Sequence, residues 1–176
     1  MEDLSAILSI EEACFSAPWT RKMLEAEMSG NQFAHFLVAK EAAESTTAAP
    51  VVGYLCFWIV FEEVRLMNLA VIKSRRHCGI ASSLVGRALQ SGLSQSAARA
   101  VLEVRSSNTA AQTLYRSLGF RDVSVRPKYY TNPLEDAVLM ELEPITLSSA
   151  SCSPASDRSG GQPQPLQQPK PGGSIC

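Results

Sequence analysis

The sequence predicts one mixed α/β domain, and two observations carry that prediction. Over the first 144 of 176 residues, segments with apolar side chains at helical spacing alternate with short apolar runs of strand length. Strands that alternate with helices build a mixed sheet covered by helices. The longest apolar run, residues 51–61, has the length of a buried strand and falls short of the ~20 residues that a membrane helix needs.

The elements follow in order along the chain. The first helix is predicted from side chains on one helical stripe, which are Leu4, Ile7, Leu8, Glu11 and Phe15. A second helix begins after Thr20, a residue type that caps helix starts. Strands are predicted at residues 33–39, 51–60, 64–71, 100–104, 120–125 and 137–142, with a polar surface loop at residues 41–50. Two more helices are predicted, one with the stripe Ile80, Leu84, Val85, Ala88, Leu89 and Leu93, and one at residues 109–118 that ends at Gly119.

The composition argues against several classes of protein. With 16 Lys and Arg against 17 Asp and Glu, the net charge of −1 disfavours a nucleic-acid partner. Five cysteines without a C-x-x-C pair, and only two histidines, disfavour a disulfide scaffold and a metal site. The acidic start Met1-Glu2-Asp3 is unlike a signal peptide. We therefore expect a cytoplasmic protein with no metal, nucleic-acid or membrane partner.

Residues 145–176 form a region of different composition. Pro, Gly, Ser and Gln supply 20 of these 32 residues, and so polar a segment cannot offset its ordering entropy. We expect a folded domain at residues 1–144 and a disordered tail at residues 145–176. The proline-spaced stretch at residues 163–166 leaves an interaction motif open, although an untethered tail is the simpler interpretation.

A stretch between a predicted strand and the long helix is suited to binding an anion. It contains Arg75, Arg76, His77, Cys78, Gly79, Ile80 and Ala81. The first N–H groups of a helix have no carbonyl partner and, together with the helix dipole, attract a phosphate. Gly79 allows close approach of a ligand, while a Walker lysine and a G-x-G-x-x-G pattern are both absent from the sequence. The alternative is an ordinary strand-to-helix turn with solvated arginines.

A carboxylate, Glu103, lies in a short apolar strand between Leu102 and Val104. Burial of an unpaired carboxylate is costly, so this position is a candidate general base. The alternative is a carboxylate paired with Arg65 or Arg105 on the sheet surface. The residues alone leave both interpretations open.

The next helix carries two polar residues of interest. Asn108 is suited to capping the start of the helix. Tyr115 follows about two turns later and is a phenolic proton donor by type. By spacing alone, Tyr115 fits an amphipathic core position better.

Taken together, these stretches resemble the GNAT acetyltransferase superfamily and, within it, the RimI-type ribosomal-protein-alanine N-acetyltransferases. Four motifs over residues 1–143 carry the resemblance: Phe15-x-x-Pro18-Trp19-Thr20; Leu69-Ala70-Val71 followed by Arg76-x-x-Gly79-x-Ala81; residues 102–120; and Arg126-Pro127-Lys128-Tyr129-Tyr130 followed by Glu135-Asp136-Ala137. In this family a strand precedes the first helix. The sheet of this chain therefore begins one strand short, or the natural chain begins upstream of Met1.

The resemblance implies a GNAT-type acyl-CoA N-acyltransferase fold with acetyl-CoA as co-substrate. The implied coenzyme contacts are Leu69, Ala70, Val71, Arg76, His77, Cys78, Gly79, Ile80, Ala81, Ser82 and Asn108, with the backbone amides of residues 77–82 on the pyrophosphate. Glu103 is the implied general base, acting through water in a direct attack, and Tyr115 the implied acid for the departing thiolate. Tyr129 and Tyr130 are implied to line the acceptor groove. The alternative interpretation of Tyr129 and Tyr130 is a turn before an edge strand, with one ring packed and one exposed.

The implied acceptor is a protein N-terminus, namely the N-terminal alanine of the eighteenth small-subunit ribosomal protein. Acidic side chains that would complement a basic acceptor, or simply form a solvated acidic loop, are Glu62, Glu63, Glu135 and Asp136. Two alternatives stay open. One is a protein N-terminal or lysine acetyltransferase of broader specificity, and the other is a non-catalytic acyl-CoA-binding module.

Overall fold

The computed structural model describes residues 3–41 and 49–146. Within them, the chain forms a six-stranded mixed sheet with helices on both faces, so the predicted fold class is confirmed. The helices are α1 (Leu4–Cys14), α2 (Arg21–Gly30), α3 (Ile80–Ser94) and α4 (Thr109–Ser117). The strands are β1 (Ala34–Lys40), β2 (Val51–Val60), β3 (Glu63–Val71), β4 (Arg99–Arg105), β5 (Arg121–Thr131) and β6 (Leu134–Leu142).

Two predictions lie wholly or partly outside the described residues. These are the tail at residues 145–176, of which the structure describes the first two, and most of the surface loop at residues 41–50. At the other end, no strand precedes α1 in the part of the chain that is described.

The sheet separates two apolar cores. Helices α1 and α2 cover one face, where Ile7, Leu24 and Cys56 are buried. Helices α3 and α4 cover the other face, where Leu89 and Leu102 are buried among others. The strand order is β1-β2-β3-β4-β6-β5, and β3 with β4 is the parallel pair. Such a three-layer arrangement buries the apolar stripe of each helix against one face of the sheet.

Local signals start and end the helices as predicted. The Thr20 hydroxyl accepts a hydrogen bond from the Met23 amide at 3.3 Å, at the start of α2. The Asn108 side chain accepts one from the Ala111 amide at 3.1 Å, at the start of α4. Gly119, with φ of 94°, takes the left-handed conformation just after α4.

The parallel strands β3 and β4 diverge along their length. Their pairing runs from Glu63 opposite Arg99 to Leu66 opposite Leu102 and then stops, although both strands continue. Next to this point, the pairing of β3 with β2 shifts at Met67, and such a bulge bends a strand. The result is an opening in the sheet between the carboxyl-terminal halves of β3 and β4.

The region after residue 125 differs from the prediction. Strand β5 continues to Thr131, so the interpretation of Tyr129 and Tyr130 as a turn is wrong. The pairing with β6 is irregular between Arg126 and Tyr130, where Lys128 has a positive φ of 52°. Pro127 lies inside this irregular stretch, and a residue without an N–H is tolerated in a strand at such a point.

Candidate active site

The loop that joins β3 to α3 has the geometry predicted for an anion site; we call residues 76–82 the anion loop. His77 and Gly79 both have positive φ, 61° and 77°, and Gly79 is the N-cap of α3. A Cβ built on Gly79 would meet nothing within 4 Å, so the space above it is open. The first-turn amides that follow, those of Ile80, Ala81 and Ser82, have no carbonyl of the same helix to bind.

Arg75 and Arg76 both contact the protein, although the Arg75 side chain is 49% exposed. Arg75 forms an ion pair with Glu41. The Arg76 Nε donates to the Val71 carbonyl at 3.2 Å and so ties the loop to the end of β3. The Arg76 guanidinium therefore adds positive charge beside the loop from a fixed position.

The end of β3 forms one wall of the opening. Leu69, Ala70 and Val71 are buried, and on one side they pair with β2. On the other side the pairing with β4 has already stopped. The backbone groups on that side thus face the opening, in the manner of a strand edge that an extended ligand can join.

Glu103 lies on the opposite wall, in β4. Leu102 and Val104 belong to the core under α3 and α4, and because side chains alternate along a strand, Glu103 points to the other face. Its side chain is 5% exposed and pairs with Arg126, whose Nη1 lies 3.1 Å from the Glu103 Oε1. The partner is therefore Arg126 and neither of the two arginines considered from the sequence.

Those two arginines have other partners. Arg65 donates to Glu63 at 2.8 Å. Arg105 pairs with Glu135 at 3.1 Å and donates to the Asn132 carbonyl at 2.9 Å, which ties β4 to the β5–β6 hairpin. The Arg105 guanidinium also lies 4.1 Å from the centre of the Tyr130 ring.

The two adjacent tyrosines of β5 lie beside Glu103. The Tyr130 hydroxyl donates to the Glu103 carbonyl oxygen at 3.3 Å, and Tyr130 is buried. The Tyr129 ring meets it edge to face at 5.1 Å and is half-buried. Burial and then the charge of Glu103 raise the pKa of Tyr129, against the effect of Arg126. We call Glu103, Arg105, Arg126, Tyr129 and Tyr130 the acceptor cluster.

Two further candidate site residues, Asn108 and Tyr115, belong to helix α4. Asn108 caps the helix, which confirms its structural role. Tyr115 is buried in the core under α3 and α4, with its ring 5.5 Å from that of Phe120. Burial and the neighbouring Tyr130 raise the pKa of Tyr115, so its phenol keeps its proton at neutral pH. Within the described residues, Tyr115 forms no hydrogen bond to the Glu103 carboxylate.

A second buried carboxylate, Glu11, contacts β3 beside the opening and was not among the predicted site residues. Glu11 of α1 is fully buried and accepts hydrogen bonds from the Tyr54 hydroxyl, the Trp19 amide and, at 2.7 Å, the Asn68 side chain. Burial raises the pKa of Glu11, and these hydrogen bonds oppose the rise. The cluster joins α1 and the turn after it to β3 at the bulge. Helical spacing placed Glu11 on the inner stripe, but no sequence signal named its partners.

Three of the four acidic residues considered for acceptor binding already have partners. Glu63 pairs with Arg65 and Arg99, and Asp136 accepts from the Lys128 amide at 2.8 Å. Burial disfavours ionisation of Glu135, yet hydrogen bonds from Ser107 and Arg105 hold the pKa of Glu135 below its usual value. The negative charges of Glu63 and Glu135 are thus balanced by arginines within the fold.

Two absences apply to residues 3–41 and 49–146. No group of three or more His, Cys, Asp or Glu side chains is placed to hold a metal ion there. No helix in this part of the chain is long and apolar enough to cross a membrane.

A diverging pair of parallel strands, the loop at the start of the following helix and a buried carboxylate of β4 thus surround one opening in the sheet. The model of the acetyltransferase (GNAT) family matches residues 4–120. The chain belongs to this family and is an acetyltransferase.

The chain is also similar to individual members of this family and to solved structures. The chain is 31% identical over 147 residues to the ribosomal protein bS18-alanine N-acetyltransferase of Escherichia coli strain K12, covering 82% of this chain and 93% of that protein. The crystal structure of the ribosomal-protein-S18-alanine N-acetyltransferase from Escherichia coli matches with a TM-score of 0.69 at 28% identity, over 87% of this chain and 94% of that one. Arabidopsis thaliana NAA60 in complex with acetyl-CoA shares the fold, with a TM-score of 0.73 at 17% identity over 81% and 93% of the two chains.

Proposed function

We propose that this protein transfers the acetyl group of acetyl-CoA to the α-amino group of a protein N-terminus, with the N-terminal alanine of ribosomal protein bS18 as the acceptor. The observation that carries the proposal is the position of Glu103, a buried carboxylate in the opening between β3 and β4. The bS18-alanine N-acetyltransferase at 31% identity supports the choice of acceptor. A ribosomal acceptor places the reaction in the cytoplasm, and the catalytic domain is residues 1–144.

Acetyl-CoA fits the wall formed by β3 and the anion loop. The pyrophosphate binds the backbone amides of residues 77–82, because the space above Gly79 is open and the first turn of α3 offers unpaired donors. The pantetheine amides pair with the free edge of β3 at Leu69, Ala70 and Val71. Asn108 and Arg76 lie at the same edge of the sheet, since α3 and α4 both follow parallel strands.

Glu103 is the base in this reaction. An α-amino group has a pKa of about 7.7–8.0, so part of it is protonated at neutral pH and must lose a proton to attack. The amine nitrogen attacks the thioester carbonyl, which forms the C–N bond and breaks the C–S bond. The amine proton passes through water to the Glu103 carboxylate. General base catalysis of this kind contributes about 10²–10⁴-fold.

Tyr115 gives a proton to the departing thiolate. Its buried phenol is protonated at neutral pH, as the raised pKa of Tyr115 requires. A thiol has a pKa of about 8.5 in water, so the sulfur becomes basic enough to take the phenol proton as the C–S bond breaks. Solvent then returns the proton from Glu103 to Tyr115, and no covalent acyl-enzyme forms.

The acceptor binds on the side of β5. Tyr129, half-buried beside Glu103, offers a hydroxyl and a ring face to the first residues of the peptide. Tyr130 packs against Tyr129 and is itself fixed in position, because its hydroxyl donates to the Glu103 carbonyl and Arg105 lies over its ring.

The test is release of CoA from acetyl-CoA with a short basic peptide that starts with a free alanine. The matched control is the same peptide with a blocked N-terminus and intact lysines. Release with the free amine alone supports the proposal, whereas equal release with both peptides moves the assignment to a lysine acetyltransferase. Release with free peptides of many starting residues indicates a broader N-terminal acetyltransferase. Binding of acetyl-CoA without release in any arm leaves an acyl-CoA-binding module and contradicts the proposal.

A further inference from the structure

The side chain of Arg126 reaches Glu103 by crossing a whole strand. Arg126 of β5 and Arg105 of β4 both lie opposite Ala137 of β6, while Glu103 lies opposite Leu139. Arg126, Ala137 and Arg105 therefore form a row across three strands, two positions along from Glu103 on the same face. Ala137 is fully buried and its methyl group is short, so the Arg126 side chain passes over it diagonally to the carboxylate.

The two partners of this ion pair differ in burial. The Glu103 side chain is 5% exposed, whereas the Arg126 side chain is 46% exposed. The Arg126 guanidinium also lies 5.7 Å from the centre of the Tyr129 ring, on the solvent side of the acceptor cluster. A buried carboxylate is costly without a partner, but a half-exposed arginine gives up an ion pair at small cost. The carboxylate thus needs a cation there, and this particular cation is able to leave.

We infer that Arg126 is a displaceable counter-ion of Glu103, which occupies the carboxylate until the ammonium group of an acceptor takes its place. The inference rests on the proposed function, since it assigns a positioning role to a residue of the same site. Arg126 neutralises the buried carboxylate in the free enzyme. The N-terminal ammonium brings the same charge to the same oxygen, and Arg126 then turns toward solvent beside Tyr129. One proton of this ammonium passes to solvent water before the attack, and the second, released as the C–N bond forms, passes to Glu103.

This role makes an unusual prediction for the variant Arg126→Gln. Since the free enzyme loses a competitor, the acceptor should bind the enzyme–CoA complex about two- to fivefold more tightly, as expected for removal of a half-exposed arginine from a carboxylate that needs a cation. Arg126→Lys keeps the cation and should restore the wild-type affinity. Damage to the fold would weaken binding, so it cannot mimic this result.

Two controls make the test specific. Arg121→Gln removes an exposed arginine of the same strand and should change neither acceptor affinity nor kcat. A peptide without its α-amino group has no cation to exchange, so its affinity should be equal in wild type and Arg126→Gln. Calorimetry with CoA gives the affinities, and CoA release gives kcat. Unchanged or weaker acceptor binding by Arg126→Gln, or tighter binding of the peptide without the amine, overturns the inference. A wild-type protein that acetylates no N-terminus overturns the proposed function and the inference together.

Discussion

The two walls of the opening between β3 and β4 are built from different kinds of group. The anion loop offers backbone N–H groups from consecutive residues at the start of α3. The acceptor cluster consists of side chains from β4 and β5, joined by an ion pair, a ring contact and a hydrogen bond. Backbone donors depend on local conformation, whereas a cluster of side chains depends on the register of whole strands. The first wall should therefore be sensitive to backbone geometry and the second to single functional groups.

The largest expected effect is on the acceptor side, at Glu103. The variant Glu103→Gln keeps the size of the side chain but removes the base, so kcat should fall about 10²–10⁴-fold. The affinity for acetyl-CoA, measured by calorimetry, should not change, because the anion loop is on the other wall.

The matched control is Glu12→Gln, which alters an exposed carboxylate on the outer side of α1. It should turn over at the wild-type rate. If Glu103→Gln retained more than about a tenth of the wild-type kcat, the assignment of Glu103 as the base would be wrong.

Tyr115→Phe should have the next largest effect, with kcat about 10²-fold lower through loss of the acid. The phenylalanine ring keeps the packing against Phe120, so the thermal midpoint of unfolding should change little. Both quantities are measured on the same preparation. A wild-type kcat would leave Tyr115 as a core residue without a role in the reaction.

On the coenzyme side, Gly79→Ala should raise the KM for acetyl-CoA about tenfold, because an L side chain at positive φ costs about 1 kcal/mol and displaces the amides that follow. The KM for the acceptor should not change. Gly86→Ala is the matched control, since Gly86 lies inside α3 with free space for a Cβ. That control should bind acetyl-CoA normally and gain about 0.5–1 kcal/mol of stability. Equal behaviour of the two variants would contradict the proposed role of the anion loop.

The smallest effect concerns Glu11, which joins α1 to β2 and β3. Burial raises the pKa of Glu11, so the folded protein holds this proton more readily than the unfolded chain. The stability from the protonated group is complete below the pKa of the unfolded chain and is lost as pH rises through the higher pKa of the folded protein. The thermal midpoint of wild type, measured relative to that of Glu11→Gln, should therefore rise as pH falls from about 7 to about 4.5. Glu12→Gln, on the exposed side of α1, should show no such dependence.

The anion loop and the order of elements were predictable because their causes are local. Gly79 with the helix after it, the cap at Asn108 and the apolar stripe of α3 each lie within a few consecutive residues. Resemblance to a family then named Glu103 and Tyr115 as functional residues. The partner of Glu103 was not predictable in this way, since the contact with Arg126 depends on how β4, β6 and β5 pair and not on distance along the chain.

The sequence by itself determined the alternation of helices and strands, the anion loop and the apolar strand around Glu103, because helix starts, turns and side-chain alternation follow from neighbouring residues. Tertiary structure alone decided that β3 and β4 diverge after Leu66, and that β6 lies between β4 and β5. It also decided that Arg126 crosses Ala137 to reach Glu103. These features depend on which strands become neighbours and in which register, and pairing between distant strands is a property of the whole folded chain.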